Sequence, residues 1–335
     1  MSEAIRAWAQ RAKGDLLEPI TLDDPGAPTG FDVEVAVEHC SVCHSDLHLV
    51  DGDWGEVARP LIPGHEVIGR VLRRGVDAPH AEGALVGIGW QAGSCGQCPP
   101  CTSGREHLCT GGKLRTCVGR QGGFASRVRV DGRFAFAIPE GLDASTAAPL
   151  LCAGLTVFSP LERLGAGPGV RVGVVGVGGL GHMAVRFASA MGAEVIAFDP
   201  DVTKRELALG LGARELVDAK GALPAGVVDL LLVTTHANLD WDAWMKTLDL
   251  EGTLCLIGVP SKPLTLGVDP LLDEQKKVTG SVIGSPASMR RMLAFAAQHG
   301  VAPITERMPM GRVNEALARV RSGQARLRVV LDAAG

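Results

Sequence analysis

Residues 170–181 read VRVGVVGVGGLG and are followed, after His182, by the helix-like stretch MAVRFASAMGA. The apolar run Val170–Val175 predicts a buried strand that ends in a glycine-rich turn. In such a turn, Gly176 suits the tight bend, Gly178 lets backbone N–H groups approach a phosphate, and Gly181 lets helix and strand pack closely. Strand, turn and helix in this order predict a dinucleotide pyrophosphate site at a helix N-terminus.

The next apolar strand, Glu194–Phe198, leads into Asp199, which lies 18 residues after Gly181. A carboxylate at this place accepts the ribose hydroxyls of NAD and repels the extra phosphate of NADP. We therefore expect NAD as the cofactor. Arg205 can offset part of the repulsion, so NADP remains an alternative.

Further apolar strands are predicted at 227–235, 252–260 and 277–284. Their alternation with helical stretches predicts a doubly wound parallel sheet, and hence an α/β fold, over residues 150–284. Residues 1–149 contain short alternating segments broken by Gly and Pro, which predict a second, irregular β domain. Residues 285–335 contain two helical stretches and a closing strand, and we assign them to that same domain.

The length and composition of the chain limit the functions that it can have. The chain has 335 residues, 46% of them hydrophobic and 21% charged, which is typical of a globular protein of about two domains. The net charge of −4 excludes a broad nucleic-acid surface. The N-terminal stretch does not resemble a signal peptide, and we find no apolar run of the ~18 residues that a spanning helix needs. The nine cysteines are an odd number and argue against a disulfide framework, so we expect a cytoplasmic protein.

Four of these cysteines lie close together, in the segment GSCGQCPPCTSGREHLC. Their spacing, C-x2-C-x2-C-x7-C, with Gly and Pro between them, allows four sulfurs to converge on one ion. The sequence therefore predicts a closed, structural zinc site, with an iron–sulfur cluster or a disulfide pair as alternatives. The four residues are Cys95, Cys98, Cys101 and Cys109.

Three other candidate ligands are far apart in the sequence. Cys43 follows the alternating run 32–37, His65 follows Gly64, and Cys152 stands before an apolar helical stretch. Their spacing in the sequence does not indicate that these residues form one site. Taken singly, each is better explained by a structural role: Cys43 as a core thiol, His65 as a satisfied histidine and Cys152 as a helix-packing cysteine.

A family resemblance does indicate that these three residues form one site. The chain resembles the zinc-dependent medium-chain alcohol dehydrogenases over essentially its whole length. The motifs that carry the resemblance are CHSDLH (43–48), GHE (64–66), the four-cysteine loop, GGFA (122–125), LLCAGLTVFSPL (150–161) and GVGGLG (176–181). LLCAGLTVFSPL, GRQGGFA and GSVIGS are most similar to the cinnamyl alcohol dehydrogenase and aldehyde reductase branch. GDW (52–54) and GIGWQAGSC (87–95) are more similar to the microbial ethanol-type enzymes.

The resemblance implies a GroES-like catalytic β domain, a Rossmann domain and two zinc ions per chain. The catalytic zinc would be held by Cys43, His65 and Cys152, with the fourth position open to water or to the substrate oxygen. Zinc is a redox-inert Lewis acid that stabilises an alkoxide, the form from which a hydride leaves readily.

The resemblance also assigns roles around this zinc. Asp46 would hydrogen-bond a zinc-ligating histidine, and Glu66 would be a buried acid beside the metal. Ser45 would take the alcohol proton and pass it, through a ribose hydroxyl of the cofactor, towards His48. The implied cofactor contacts are the glycines and Asp199 described above and His44, Thr156, Gly179, Leu180, Lys204, Arg205, Thr235, Gly258, Val259, Ser281, Ile283 and Arg328.

Trp54 and Trp90 occupy positions where the ethanol-type enzymes have pocket walls. Two indoles there would favour small or flat primary alcohols and their aldehydes. The chain has no tyrosine, so no Tyr–Lys pair can supply the proton. We therefore expect an NAD(P)-dependent alcohol dehydrogenase or aldehyde reductase acting on aliphatic, aromatic or allylic primary alcohols.

Alternatives to this function are an NADP-preferring cinnamyl-type reductase, a zinc-bound nucleotide-sensing or structural protein, and a metal hydrolase. The resemblance also implies a homodimer or homotetramer. We expect it to form through an edge strand of the nucleotide domain, for which the candidate is LCLIGVP (254–260).

Overall fold

The structure is a computed structural model, and it describes residues 4–333 of the chain. The chain divides into two compact units, Met1–Cys152 with Ser285–Gly335, and Ala153–Gly284. The boundary predicted from the sequence was at residue 149/150, three residues before the first of these divisions.

Within residues 4–333 the strands and helices alternate irregularly in the first unit and regularly in the second. The strands are β1 Ile5–Ala9, β2 Glu18–Leu22, β3 Asp32–Val42, β4 Val67–Arg74, β5 Leu85–Ile88, β6 Gln91–Gly93, β7 Leu114–Arg115, β8 Arg127–Asp131, β9 Ala135–Ala137, β10 Arg171–Val175, β11 Glu194–Asp199, β12 Glu215–Asp218, β13 Val228–Val233, β14 Leu248–Leu256, β15 Lys277–Gly280, β16 Thr305–Pro309 and β17 Arg328–Asp332. The α-helices are α1 His44–Asp51, α2 Pro99–Thr102, α3 Ala144–Ala147, α4 Ala153–Arg163, α5 Gly181–Ala190, α6 Arg205–Gly210, α7 Trp241–Thr247, α8 Asp269–Leu272, α9 Pro286–His299 and α10 Val313–Arg321.

The second unit is built on one parallel sheet. Its strand order is β12-β11-β10-β13-β14-β15, and every neighbouring pair is parallel. Numbered within this unit, the order is 3-2-1-4-5-6, the order of a doubly wound dinucleotide-binding fold. The central strands are apolar and fully buried because helices cover both faces of such a sheet, as at Val172 and Val174. The predicted α/β class with a doubly wound sheet is confirmed.

One prediction about this sheet was wrong. The stretch LCLIGVP was expected at the sheet edge, but its strand residues, 254–256, belong to β14, which pairs with β13 on one side and β15 on the other. The edge strands are β12 and, next to β14, β15. An apolar run does not distinguish the second strand from the edge, because both strands carry β-branched and apolar residues.

The first unit contains a seven-stranded sheet in the order β16-β17-β3-β4-β5-β9, with β8 also pairing with β3. Its central pair, β3 and β4, is antiparallel. The last strand of the chain, β17, is antiparallel to β3, with Val329 opposite Val42. Two short ladders, β1-β2 and β6-β7, complete this unit. The core lies on the inward faces of these strands, where Val33 and Val35 are completely buried.

No single helix within residues 4–333 is long and apolar enough to cross a membrane. The consecutive segments Ala144–Leu151 and Ala153–Arg163 reach that length and composition only when they are counted together.

Two glycines of the quoted turn are predicted to differ in their importance for stability. A Cβ on Gly181 would lie 1.7 Å from the carbonyl oxygen of Gly176, whereas a Cβ on Gly178 meets nothing within 4 Å. We expect Gly181→Ala to lower the free energy of unfolding by about 3 kcal/mol, because the backbone must shift. Gly178→Ala is the matched control and should unfold like the wild type in a chemical denaturation measurement. Equal stability of the two variants would contradict this account of the turn.

Candidate metal centre and cofactor site

Four side chains that are distant in sequence converge in the first unit. One ligand atom from each of Cys43, His65, Glu66 and Cys152 lies within 4.8 Å of those of the others. His65 and Glu66 are completely buried, and Cys43 is 9% exposed. The three zinc ligands implied by the motifs are thus brought together, with the predicted buried acid beside them.

The β3–β4 ladder explains how two of these ligands meet. Cys40 of β3 is opposite Val67 of β4, and the N–H of Ser41 donates to the carbonyl oxygen of Glu66 at 2.9 Å. The chain leaves β3 at Cys43 and enters β4 directly after the GHE motif, so both turns lie at the same end of one antiparallel pair. Cys152 reaches the cluster from the residue before α4.

The glycines of the GHE and GGFA motifs are required by the turn that carries His65. Gly64 has a φ of +95°, and a Cβ there would lie 2.7 Å from the backbone nitrogen of Phe124. Gly123 donates its N–H to the carbonyl oxygen of Gly64 at 2.8 Å, and a Cβ on Gly123 would lie 2.2 Å from Val67. The two motifs therefore form one close backbone contact that side chains would block.

Asp46 fixes the orientation of the histidine ligand. Its carboxylate is completely buried, and Oδ1 lies 3.0 Å from Nδ1 of His65 and 2.8 Å from the N–H of Gly64. Oδ2 accepts the N–H of Cys43 at 2.9 Å. Because Nδ1 faces a carboxylate, it carries the proton, and Nε2 of His65 is left as the candidate metal-binding nitrogen. That Nε2 is buried and has no hydrogen-bond partner among the described residues.

The electrostatics of the cluster also fit a cation. The hydrogen bond from Cys152 lowers the pKa of Cys43 well below its usual range, and the same contact raises the pKa of Cys152. The two thiols are therefore electrostatically coupled, and a cation that binds both sulfurs displaces their protons. Burial lowers the pKa of His65, but Asp46 and Cys152 outweigh it and raise the pKa well above its usual range. The surroundings of the imidazole are therefore negative, as a cation site requires.

Glu66 is paired with a residue for which the sequence suggested another role. A guanidinium nitrogen of Arg328 contacts both carboxylate oxygens of Glu66 and lies 3.4 Å from the hydroxyl of Ser41. Burial raises the pKa of Glu66 to about 7, although Arg328 opposes the shift. Arg328 was predicted at the cofactor pyrophosphate; its buried guanidinium pairs with Glu66 in the first unit, and the pyrophosphate contact stays a prediction. The pairing was missed because the two residues are 262 positions apart.

The implied proton relay lies on α1 and the turn after it. Ser45 is half-buried in the first turn of α1, His48 follows one helical turn later, and the neighbouring His44 is exposed. Nδ1 of His48 lies 2.8 Å from Oδ2 of Asp53, a residue that sequence reasoning missed. The available signal was the turn itself, because Gly52 ends the helix in the left-handed conformation and directs the chain back towards His48.

The two predicted pocket tryptophans lie beside these residues. The ring of Trp54 stacks on His48 with 4.8 Å between centroids, and it meets Trp90 edge to face at 6.0 Å. Trp90 in turn packs edge to face against His65 at 4.8 Å. Trp54 is 44% exposed, so its free face is available to line a pocket.

The four-cysteine loop forms a second, separate cluster. The Sγ–Sγ distances are 3.4 Å for Cys98–Cys101, 3.5 Å for Cys95–Cys109, 3.8 Å for Cys98–Cys109 and 4.0 Å for Cys95–Cys101. Four sulfurs in a tetrahedron around one zinc ion, at bonds of ~2.3 Å, are about 3.8 Å apart. All four cysteines are free, so the disulfide alternative is not realised. The N–H of Thr110, together with Cys101, lowers the pKa of Cys98 to about 5, which favours the thiolate that a metal needs.

The predicted cofactor residues of the second unit lie at the carboxyl ends of the parallel strands. Gly176 follows β10 with a φ of +91°, and α5 begins at Gly181. Thr235 lies just beyond β13, and Gly258 lies just beyond β14, where a Cβ would be 2.1 Å from the carbonyl oxygen of Thr235. The other predicted contacts of this unit are placed as follows: Gly178, Gly179 and Leu180 in the turn, Thr156 in α4, exposed Val259 after Gly258, and Ser281 and buried Ile283 after β15.

Asp199, at the end of β11, already has several partners. Its carboxylate accepts the N–H groups of Val177 at 2.7 Å and Asp201 at 2.9 Å. Nζ of Lys204 lies 3.1 Å and 3.2 Å from the two carboxylate oxygens. Asp199 is only 3% exposed, whereas Arg205 is exposed. The predicted acid thus forms an ion pair with a second predicted cofactor residue.

Comparisons with known families agree with this arrangement. Residues 29–140 match the family described as "Alcohol dehydrogenase GroES-like domain", and residues 179–298 match the family described as "Zinc-binding dehydrogenase". The first match covers most of the irregular β unit and the second covers most of the parallel-sheet unit. The predicted GroES-like nature of the first domain is confirmed.

Individual relatives cover nearly the whole chain. Aldehyde reductase AdhA of Synechocystis sp. is 42% identical over 333 residues, which are 98% of this chain and 98% of that protein. The structure of a cinnamyl alcohol dehydrogenase from Sorghum bicolor superposes with a TM-score of 0.93 at 36% identity, covering 99% of this chain and 98% of that one. CAD from Helicobacter pylori, complexed with NADP(H), has a TM-score of 0.91 at 30% identity and 99% coverage of both chains.

These matches remove the sensor and hydrolase alternatives. The chain belongs to the zinc-type medium-chain alcohol dehydrogenase family, as its motifs predicted, and is an oxidoreductase of the alcohol dehydrogenase and aldehyde reductase type.

Proposed function

We propose that this enzyme transfers a hydride between a primary alcohol and NAD at a zinc ion held by Cys43, His65 and Cys152. In the oxidative direction an alcohol and NAD⁺ give an aldehyde, NADH and one proton. The observation that carries the proposal is the convergence of two thiols on a buried His65 Nε2 that has no hydrogen-bond partner among the described residues. A nitrogen and two sulfurs are a donor set typical of catalytic zinc, which takes water or substrate as its fourth ligand.

The zinc ion and the cofactor, when bound, have roles in the reaction that differ from those of the side chains. When bound, zinc supplies Lewis acidity towards the alcohol oxygen, and the nicotinamide ring accepts the hydride. Asp46 holds His65 in the tautomer that presents Nε2. Ser45 accepts the alcohol proton at its hydroxyl, and His48, held at Nδ1 by Asp53, moves it towards the surface.

The four-cysteine loop is proposed to hold a second, structural zinc ion. Four thiolates leave no ligand position for a substrate, and the sulfur separations suit a single ion rather than an iron–sulfur cluster, whose several irons hold their cysteines further apart. We therefore propose two zinc ions per chain, only one of which takes part in the reaction.

For the cofactor we propose a preference for NAD over NADP. The support is the carboxylate of Asp199, placed at the end of the second strand of the parallel sheet. Lys204 balances part of its charge, and the NADP(H) bound to the relative from Helicobacter pylori favours the alternative. The preference is accordingly expected to be moderate rather than absolute.

The proposed substrates are small or flat primary alcohols, aliphatic, aromatic or allylic, and the corresponding aldehydes. The support is the pair of indoles, Trp54 and Trp90, beside the candidate metal ligands. An aromatic wall of this kind favours flat, apolar groups.

We also propose a homodimer or homotetramer in the cytoplasm. Edge strand β15 and the segments before and after it carry exposed apolar side chains, among them Val268, Leu272 and Val282, at 54–68% exposure. The nine free cysteines favour a reducing compartment. Light scattering in solution tests the assembly, and a single-chain mass would contradict it.

The proposed reaction is tested by adding zinc-loaded protein to NAD⁺ and a panel of primary alcohols, including ethanol, 1-butanol, benzyl alcohol and cinnamyl alcohol. We expect an increase in the absorbance of the reduced nicotinamide and, in the reverse direction, its loss with the aldehydes. No turnover with any member of the panel, with NAD⁺ or NADP⁺, would contradict the proposal.

The two metal sites are predicted to respond differently to loss of one ligand. Cys43→Ala should lower turnover by about a thousandfold and release about one zinc per chain, because it removes a ligand of the reacting metal. Cys101→Ser should also release about one zinc, but it should lower the melting temperature by about 5 °C or more before it affects the chemistry. Zinc content is measured by mass spectrometry of the metal. Cys255→Ala is the matched control, since Cys255 is a buried thiol of β14 outside both clusters. Full activity of Cys43→Ala would contradict the ligand assignment.

The cofactor preference is predicted to depend on Asp199. Asp199→Ser should raise the ratio of kcat/KM for NADP to that for NAD by about tenfold, because it removes a charge worth about 1.4 kcal/mol of discrimination against the extra phosphate. Asp201→Ser is the control, since Asp201 is an exposed carboxylate two residues further on that caps the N–H of Thr203. A ratio that is unchanged by Asp199→Ser would overturn the assignment.

A further inference from the structure

We propose that Trp54 is a positioning residue of the proton relay, in addition to being a wall of the alcohol pocket. The inference rests on the proposed function, because it concerns how His48 is held while it receives the alcohol proton. It comes from the observation that the pocket indole and the relay imidazole are stacked on each other.

The turn after α1 places two consecutive residues against His48. The N–H groups of Gly52 and Asp53 both donate to the carbonyl oxygen of His48, so the chain reverses directly over the last helical turn. Asp53 then contacts the edge of the imidazole at Nδ1, 2.8 Å away. Trp54 covers its face, at 4.8 Å between centroids and 28° between the planes. One hydrogen bond and one stacked face thus restrain the ring in two directions.

The hydrogen bond alone does not define the plane of the ring. Asp53 is 55% exposed, and its carboxylate can follow the imidazole as the ring turns. The stacked indole resists that turning, because a tilted ring loses contact with the aromatic face. Trp54 therefore keeps the imidazole in the plane in which Nδ1 faces Asp53 and Nε2, which is buried, faces inward.

Trp54 is itself held from the other side. Its edge-to-face contact with Trp90, and that of Trp90 with His65, form the series His65–Trp90–Trp54–His48. The first ring of this aromatic series is the candidate zinc ligand and the last is the relay histidine. A substrate that lies against Trp54 therefore presses on the side chain that orients the proton acceptor.

Two other charged side chains near this turn, Lys13 and Asp51, make contacts of their own. Nζ of Lys13 lies close to Gly52, 3.0 Å from where a Cβ would be, and Asp51 pairs with Arg321. Both contacts involve the end of the helix, whereas the indole touches the imidazole itself.

The proposal is tested by single-turnover oxidation of 1-butanol with saturating NAD⁺, at fixed pH and ionic strength, with increasing N-methylmorpholine as an external proton acceptor. Single turnovers are used so that product release does not hide the proton-transfer step. The variants are Trp54→Leu, which removes the aromatic face, Trp54→Phe, which keeps one, and His48→Gln, which removes the relay. Zinc content, measured alongside, shows that each variant is folded and loaded.

We expect Trp54→Leu to slow the single turnover by about threefold to tenfold, which is what one aromatic contact is worth. The lost rate should return as N-methylmorpholine increases, as it should in His48→Gln. Trp54→Phe should be as insensitive to the added base as the wild type, although its KM for bulky alcohols changes. This rescue by base separates positioning of the relay from a role in substrate fit.

Three results would overturn the proposal. Trp54→Leu with a changed KM but a base-independent rate would make Trp54 a pocket wall only. Equal base dependence in Trp54→Phe and Trp54→Leu would show that the aromatic face does not matter. His48→Gln without any response to base would remove the relay that Trp54 is said to position. Failure of the proposed function is distinct, because the wild type would then oxidise no alcohol at all.

Discussion

The buried carboxylate of Asp46 is the group on which the candidate metal centre depends. It accepts hydrogen bonds from Nδ1 of His65 and from the backbone N–H groups of Gly64 and Cys43. Its removal would leave three donors unpaired in a region from which water is excluded, each at a cost of about 1–3 kcal/mol. The same charge makes the surroundings of His65 negative. One side chain therefore sets both the geometry of two ligands and the preference of their site for a cation.

The fold could be predicted where its determinants are local. In the parallel-sheet unit, strand, glycine turn, helix, strand and Asp199 follow one another within about thirty residues, and each has a physical reason that can be found in the sequence. The order of strands across a sheet has no such local signal. The edge position was therefore assigned to β14 although β15 lies outside it, because hydrophobicity reports burial between layers and not which strand has a neighbour.

The candidate sites, like the fold, could be predicted from the sequence alone only where their residues lie close together in it. The four cysteines of the loop lie within fifteen residues, so spacing was enough to predict their cluster. Cys43, His65 and Cys152 could be assigned to one site only through the family resemblance. The β3–β4 ladder brings the first two together, and their spacing in the sequence does not predict that ladder. The contact of Glu66 with Arg328 had no signal in the sequence at all. Asp53 was overlooked because GDW was interpreted as a pocket segment, and the reversal of the chain at Gly52 was not considered.

Charge at a site cannot be inferred from one residue type. Asp199 predicts NAD when it is taken alone, yet backbone N–H groups of Val177 and Asp201 engage its carboxylate and Lys204 balances it. A phosphate approaching this carboxylate meets an ion pair, whose field falls off faster than that of a lone charge. We therefore expect selectivity between the two nicotinamide cofactors to depend on the Asp199–Lys204 pair. For the same reason, the charge that Arg328 offers to a phosphate depends on Glu66, with which it forms a buried pair in the first unit.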